Sequence, residues 1–147
     1  VSSGSLLLIF EKYGLGFNQL LVKSNSFAFK SDSSGNNNYK LTNSSVDLSY
    51  TFDFLSFTAG MGYVYEGKGV ISNGDSDTNL ETENVSGYGL FGMFGGEWFG
   101  LETLFGARFD KADYLDFKST KITNVVTVNN GLSISTIQLL LGLVYKF

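Results

Sequence analysis

The chain has 147 residues, one domain's worth, with no proline, cysteine or histidine. Those absences exclude a disulfide framework, thiolate or imidazole metal sites, and catalysis by cysteine or histidine. A net charge of -4 excludes an electrostatically driven nucleic-acid binder, and 16% charged residues is low against about 25% in soluble domains.

From Val1 to Lys12 the chain reads as a first strand, an amphipathic lid or a plug. Its apolar run, Leu6 to Phe10, is five residues long, too short for a membrane helix or a signal-peptide core. Over about 13–29, Tyr13, Leu15, Phe17 and Leu21 alternate with Gly14, Gly16, Asn18 and Leu20, and a period of two specifies a strand. A polar segment, Ser31 to Asn38, leads to a strand over about 39–53, in which Val46, Leu48, Tyr50 and Phe52 oppose Asp47, Ser49, Thr51 and Asp53. A tight turn at Asp53-Phe54 opens a strand over 55–68. There Leu55, Phe57, Ala59, Met61, Tyr63 and Tyr65 oppose Ser56, Thr58, Gly60, Gly62, Val64 and Glu66.

After the polar segment Gly69 to Glu81 comes a glycine-rich, aromatic strand over 82–95, then a tight turn at Gly95-Gly96. The next strand, 97–110, sets Phe99, Leu101, Thr103, Phe105, Ala107 and Phe109 against Gly100, Glu102, Leu104, Gly106, Arg108 and Asp110. The long segment from Lys111 to about Gly131 contains a second alternating stretch, Lys121 to Val128, and Asn129-Asn130-Gly131 suits a hairpin turn into the last strand. That strand, 132–147, carries Ile137, Leu139, Leu141, Leu143, Tyr145 and Phe147 on one face.

Short turns thus alternate with long polar loops. This asymmetry is typical of a transmembrane barrel, with short turns on one side of the membrane and long loops on the other. Six strands follow directly from the alternation; the segments 1–12 and 121–128 bring the count to eight, the smallest closed size usual for single-chain membrane barrels. The expectation is an all-β, antiparallel, up-and-down transmembrane β-barrel forming one domain over residues 1–147. The polar face is crowded with Gly, Ser and Thr, suited to a narrow lumen. It lacks the dense Lys/Glu coat of a water-facing surface. Aromatics gather at strand ends, where interfacial girdles sit.

The chain ends in Gly142-Leu143-Val144-Tyr145-Lys146-Phe147. Gly142, Tyr145 and Phe147 resemble the C-terminal signal of bacterial outer-membrane β-barrel proteins, and the overall pattern looks like the small OmpA/OmpX-type barrels. Leu140 departs from that pattern, which has a polar residue two before the glycine. The resemblance implies a bacterial outer-membrane location, a lipid bilayer around the chain and recognition by the barrel-assembly machinery. Other envelope proteins enter as partners if the chain is a subunit. The enzymes of that family resemble one another in using a catalytic histidine, which this chain lacks.

Arg108, Glu102, Glu66 and Asp47 share the polar face. The expectation is an ion-pair network in the lumen, Arg108 pairing with Glu66, Asp47 or Glu102, rather than a carboxylate dyad for acid–base chemistry. Arg108 is the only arginine, two positions from Asp110. The oxygen-rich stretch Asn73 to Asn79 lacks the glycine and terminal glutamate of a calcium loop, so it reads as a solvated acidic loop. No metal or cofactor is expected. The expected role is non-catalytic: structural, adhesive or as a complex subunit. The alternatives are a soluble barrel with an apolar cavity for a lipophilic ligand, and one chain of a multi-chain barrel. Detergent extraction separates the first from a membrane barrel, and mass in detergent separates the second.

Overall fold

The computed structural model describes residues 1–27, 37–52, 56–73, 79–98, 101–119, 127–128 and 131–143. Their regular structure is one ten-stranded antiparallel sheet. The strands are β1 (Ser2–Phe10), β2 (Tyr13–Phe27), β3 (Asn37–Phe52), β4 (Phe57–Asn73), β5 (Asn79–Thr82), β6 (Asn84–Trp98), β7 (Leu101–Leu115), β8 (Phe117–Ser119), β9 (Thr127–Val128) and β10 (Leu132–Leu143).

The pairing is a meander. β1 pairs with β2, β2 with β3, β3 with β4, β4 with β6, β6 with β7, and β7 with β10, every pair antiparallel. Only Glu83 separates β5 from β6, and only Asp116 separates β7 from β8, so each pair is one kinked length of wall. β9 pairs with β8 just as β10 pairs with β7. The ten strands therefore build seven successive lengths of wall, curled into a half-barrel with the polar face inside.

Residues 1–12 form a strand that pairs fully along β2, with a turn at Glu11. The stretch around Val128 is not an additional wall strand hairpinned to the last one: Thr127 and Val128 lie opposite Lys118 and Phe117, in line with β10. Asp116, with a positive φ of 56°, is the single residue between β7 and β8, and beyond it β8 pairs with β9. Residues 120–126 and 129–130 lie outside the described residues. Gly95-Gly96 is not a turn: both glycines pair with Leu104 and Thr103, and β6 runs on to Trp98. The Gly95 N–H donates to the Ser56 carbonyl at 2.7 Å, which ties it to the neighbouring strand's entry. The turn at Asp53-Phe54 and the centre of the oxygen-rich loop, 74–78, fall outside the described residues.

Two irregularities shift which side chains face inward. On β4, Ser45 opposes Val64 but Ser44 opposes Glu66, so Tyr65 is an extra residue, a β-bulge. Below it the even positions Thr58, Gly62 and Val64 are buried; above it Gly69 is, and Glu66 is exposed beside Tyr65. At the second, Thr82 Oγ1 donates to the Leu115 carbonyl and accepts from the Asn84 N–H at 3.1 Å, while Asn84 Nδ2 donates to Asp116 Oδ2 at 2.6 Å. The switch there is from Tyr114 to Phe117 inside. Around these two irregularities the interior is apolar: Leu20, Val22, Leu41, Ala112, Tyr114 and Phe117 form a buried cluster near the long loops. Tyr114 Oη donates to the Thr42 carbonyl at 3.3 Å, and Asn43 Nδ2 donates to Tyr114 Oη at 3.2 Å.

Candidate functional site

Below the apolar cluster the interior is polar and centred on Arg108. Alternation along β7 aims Arg108 and Asp110 inward, and both are buried. Arg108 Nη1 donates to Asp47 Oδ2 at 2.7 Å and Nε to Asp110 Oδ1 at 2.7 Å. Its Nη2 donates to Ser45 Oγ at 3.0 Å, and Ser45 Oγ donates to Asp47 Oδ1 at 3.3 Å. From β10, Gln138 Nε2 donates to Asp110 Oδ2 at 2.5 Å. The Phe91 ring centroid lies 5.6 Å from the guanidinium carbon, within cation–π range. One cation and two carboxylates thus tie β3, β7 and β10 together across the interior.

Glycines make the room. Gly62 lies opposite Asp47 and Gly89 opposite Asp110. A Cβ at Gly62 would meet the Asp47 carboxylate and come within 2.7 Å of Arg108 Nη2; one at Gly89 would meet the guanidinium and the Asp110 carboxylate. The glycine pattern of β4 and β6 is therefore part of the charge cluster.

Of the four residues expected in the lumen, Arg108 and Asp47 meet there. Glu66 does not join them, because the Tyr65 bulge turns it to the outer face. Glu102 lies in β7 with its backbone opposite Glu97; its side chain lies outside the described residues. Asp110 takes the second carboxylate place. Its position two residues from Arg108 carries that signal in the sequence, whereas nothing there picks out Ser45, Gln138 or Phe91. Gly142 pairs with Leu104 near the end of β10, and Tyr145 and Phe147 lie outside the described residues. Among the described residues no group of acidic side chains is arranged to hold a metal.

The outer face is the reverse of the inner. Ile137, Leu139 and Leu141 are 77%, 78% and 83% exposed, and Leu15, Phe17, Leu48, Met61, Leu90, Phe94 and Phe105 continue the apolar surface across the other strands. Rings edge it on both sides. At the short-turn end Tyr13, Tyr50, Phe52, Phe57 and Phe94 form a chain of contacts with centroids 4.7 to 6.3 Å apart. Toward the long loops Tyr63 lies opposite Tyr88, with Tyr65 beyond. Between Phe57 and Tyr65 the belt covers roughly 26 Å of strand at about 3.3 Å per residue. Past the tyrosines the outer face turns polar, with Glu66, Lys40, Lys68 and Glu83 exposed. There Lys68 Nζ lies 2.8 Å from Glu81 Oε2, and that hydrogen bond, with the carboxylate's charge, holds the ammonium pKa above its ordinary value.

The sequence matches no protein-family model, no curated protein and no solved structure.

Proposed function

We propose that the chain is the wall of an integral outer-membrane β-barrel with a non-catalytic role, structural, adhesive or as a subunit of an envelope complex. The complete barrel has eight strands, one more than the seven lengths of wall among the described residues, and its long polar loops face outside the cell. The observation that carries this reading is the apolar belt, edged by aromatic rings on both sides, on the outside of a sheet whose interior holds the charges. In water such a belt is an aggregation hazard; in a bilayer it matches the apolar band and aromatic girdles of a membrane barrel. Among the described residues Arg108 and its two aspartates fill the middle of the interior, and Leu41, Tyr114 and Phe117 fill its loop end, which favours a structural role over a pore. The lipophilic-ligand reading needs the opposite arrangement, with the Phe/Leu face inside. The bilayer and the barrel-assembly machinery are the partners in this reading.

The test is refolding into lipid vesicles. The expected result is association that resists urea and carbonate, with strands protected from protease. Leu139→Arg, in the belt, loses about 2–4 kcal/mol of folding stability in the bilayer, whereas Ser133→Arg, near its polar edge, loses about 0–1 kcal/mol. A chain that stays monomeric and soluble without detergent, or equal tolerance of the two substitutions, overturns the reading.

A further inference from the structure

Among the described residues the wall does not close on itself, and strand direction bears on how it can. Six antiparallel pairings lead from β1 to β10, an even number, so these two outermost strands run the same way. Among the described residues β1 pairs only with β2, and β10 only with β7. Both line a cavity of about 510 Å³, with Ser3, Ser5 and Leu6 on one side, Leu139 and Leu141 on the other, and Arg108 among its deeper residues. The inner face near this seam holds buried polar atoms without a protein partner: Thr136 Oγ1 and Gln138 Oε1 on β10, and Asn18 Nδ2 on β2, opposite Ser5. Asn18 and Gln138 are 2% and 5% exposed.

We propose that the seam between β1 and β10 is a strand-acceptor site, filled by one extended polypeptide segment running antiparallel to both. The parity argument selects this occupant. Direct β1–β10 pairing would be parallel, against the antiparallel pairing of the rest of the sheet. A second copy turned about an axis along the strands also presents its edges in the parallel sense. One inserted strand satisfies the free backbone groups of both edges, as in β-augmentation. Its chemistry follows from the two faces. Residues aimed inward are small and carry hydroxyl or amide groups, to pair with Thr136, Gln138 and Asn18; residues aimed outward are apolar, to continue the belt between Leu6 and Leu139. Its length is about 9–11 residues, that of a membrane-crossing strand. The inference rests on strand direction and the two edges, whether or not lipid surrounds the belt.

The test uses the full chain in detergent micelles, so that failure to insert into lipid vesicles is read separately. The protein has no cysteine, and Ser2 and Ser133 are exposed at the starts of β1 and β10. Single variants Ser2→Cys and Ser133→Cys are mixed, with copper–phenanthroline in air as the thiol oxidant, with a synthetic peptide of about eleven residues alternating leucine and threonine, bearing a cysteine at either end. An antiparallel occupant brings its C-terminal end to both positions. That peptide should form disulfides with both variants about tenfold faster than the peptide carrying an N-terminal cysteine, through the higher local concentration. In the unsubstituted chain, the same peptide without cysteine should slow amide hydrogen exchange in β1 and β10 together. Faster reaction of the N-terminal thiol, equal rates, or exchange unchanged at both edges overturns the proposal. So does a Ser2→Cys/Ser133→Cys double variant that closes its own disulfide without peptide, or a Ser2→Cys variant that links two copies instead.

Discussion

Arg108 is the residue on which the interior turns, because a guanidinium keeps its charge when buried and its planar fork suits carboxylates. Replacing Arg108 with Met leaves Asp47 and Asp110 buried without a cation and should cost about 3–5 kcal/mol. The triple replacement Arg108→Met, Asp47→Leu and Asp110→Leu should cost much less, since it removes the unpaired charges with their partner. Urea titrations of the folded chain in micelles measure both, and equal losses would mean that the cluster is not coupled. The glycines set the second residue-scale expectation. Gly62→Ala puts a methyl against the Asp47 carboxylate and Arg108 Nη2, an overpacking cost of about 1–3 kcal/mol. Gly96→Ala, where an added Cβ has open space, should lose only about 0.5 kcal/mol or less. The ordering of these two variants in thermal melts tests whether the glycines serve the ion cluster or only the curvature of the strands.

At the scale of strands, the bulge at Tyr65 decides which charges are inside. Deleting Tyr65 removes the extra residue and sets Val64 and Glu66 directly opposite Ser45 and Ser44, so Glu66 and Lys68 stay outward and Gly67 and Gly69 inward. Gly69 keeps its close packing against Leu41 and Tyr114, so the loop-end cluster and the Arg108 layer should both survive. Hydrogen exchange should stay slow in the upper halves of β3 and β4 and around Asp47 and Arg108. Loss of protection in the upper halves alone would mean that the local twist of the bulge is needed to seat the loop-end cluster. This bulge also marks the limit of what the sequence makes legible. Period-two alternation locates the strands, the apolar outer face and the inward aim of Arg108 and Asp47, because each depends only on local spacing. The Tyr65 insertion and the Asp116 kink carry no such local signal. Tyr65-Glu66 fits the alternation of its strand, and only the register with Ser44 and Ser45 shows that one residue is extra. The same holds for Gly95-Gly96, which resembles a turn as a dipeptide but is held in β6 by pairing to Leu104 and Thr103. Ser45 and Gln138 enter the ion cluster from other strands, so only the assembled sheet brings them to Arg108.

For the whole molecule, the two ends of the wall differ, and in the proposed membrane barrel that difference sets the orientation. Turns at Glu11-Lys12 and Ser56 join strands at one end, while the connections after β2, β4 and β8 are longer and leave from the other. Charged groups follow the long connections, with Lys40, Lys68, Glu83 and Lys118 exposed beyond the tyrosines. Outer-membrane-type barrels keep short turns on the periplasmic side and long loops outside, and in the proposed barrel all seven lengths of wall share that arrangement. In cells, a membrane-impermeant maleimide should therefore label Lys118→Cys on intact bacteria and label Lys12→Cys only after the outer membrane is permeabilised. Because the chain contributes no native thiol, each signal belongs to the introduced residue alone. A Leu139→Cys variant, placed in the belt, should resist the reagent in both states and become reactive when detergent replaces lipid with mobile surfactant. Labelling of Lys12→Cys on intact cells would reverse the orientation. Ready labelling of Leu139→Cys in intact cells and permeabilised membranes alike would place the belt in water and remove the membrane-wall reading with it.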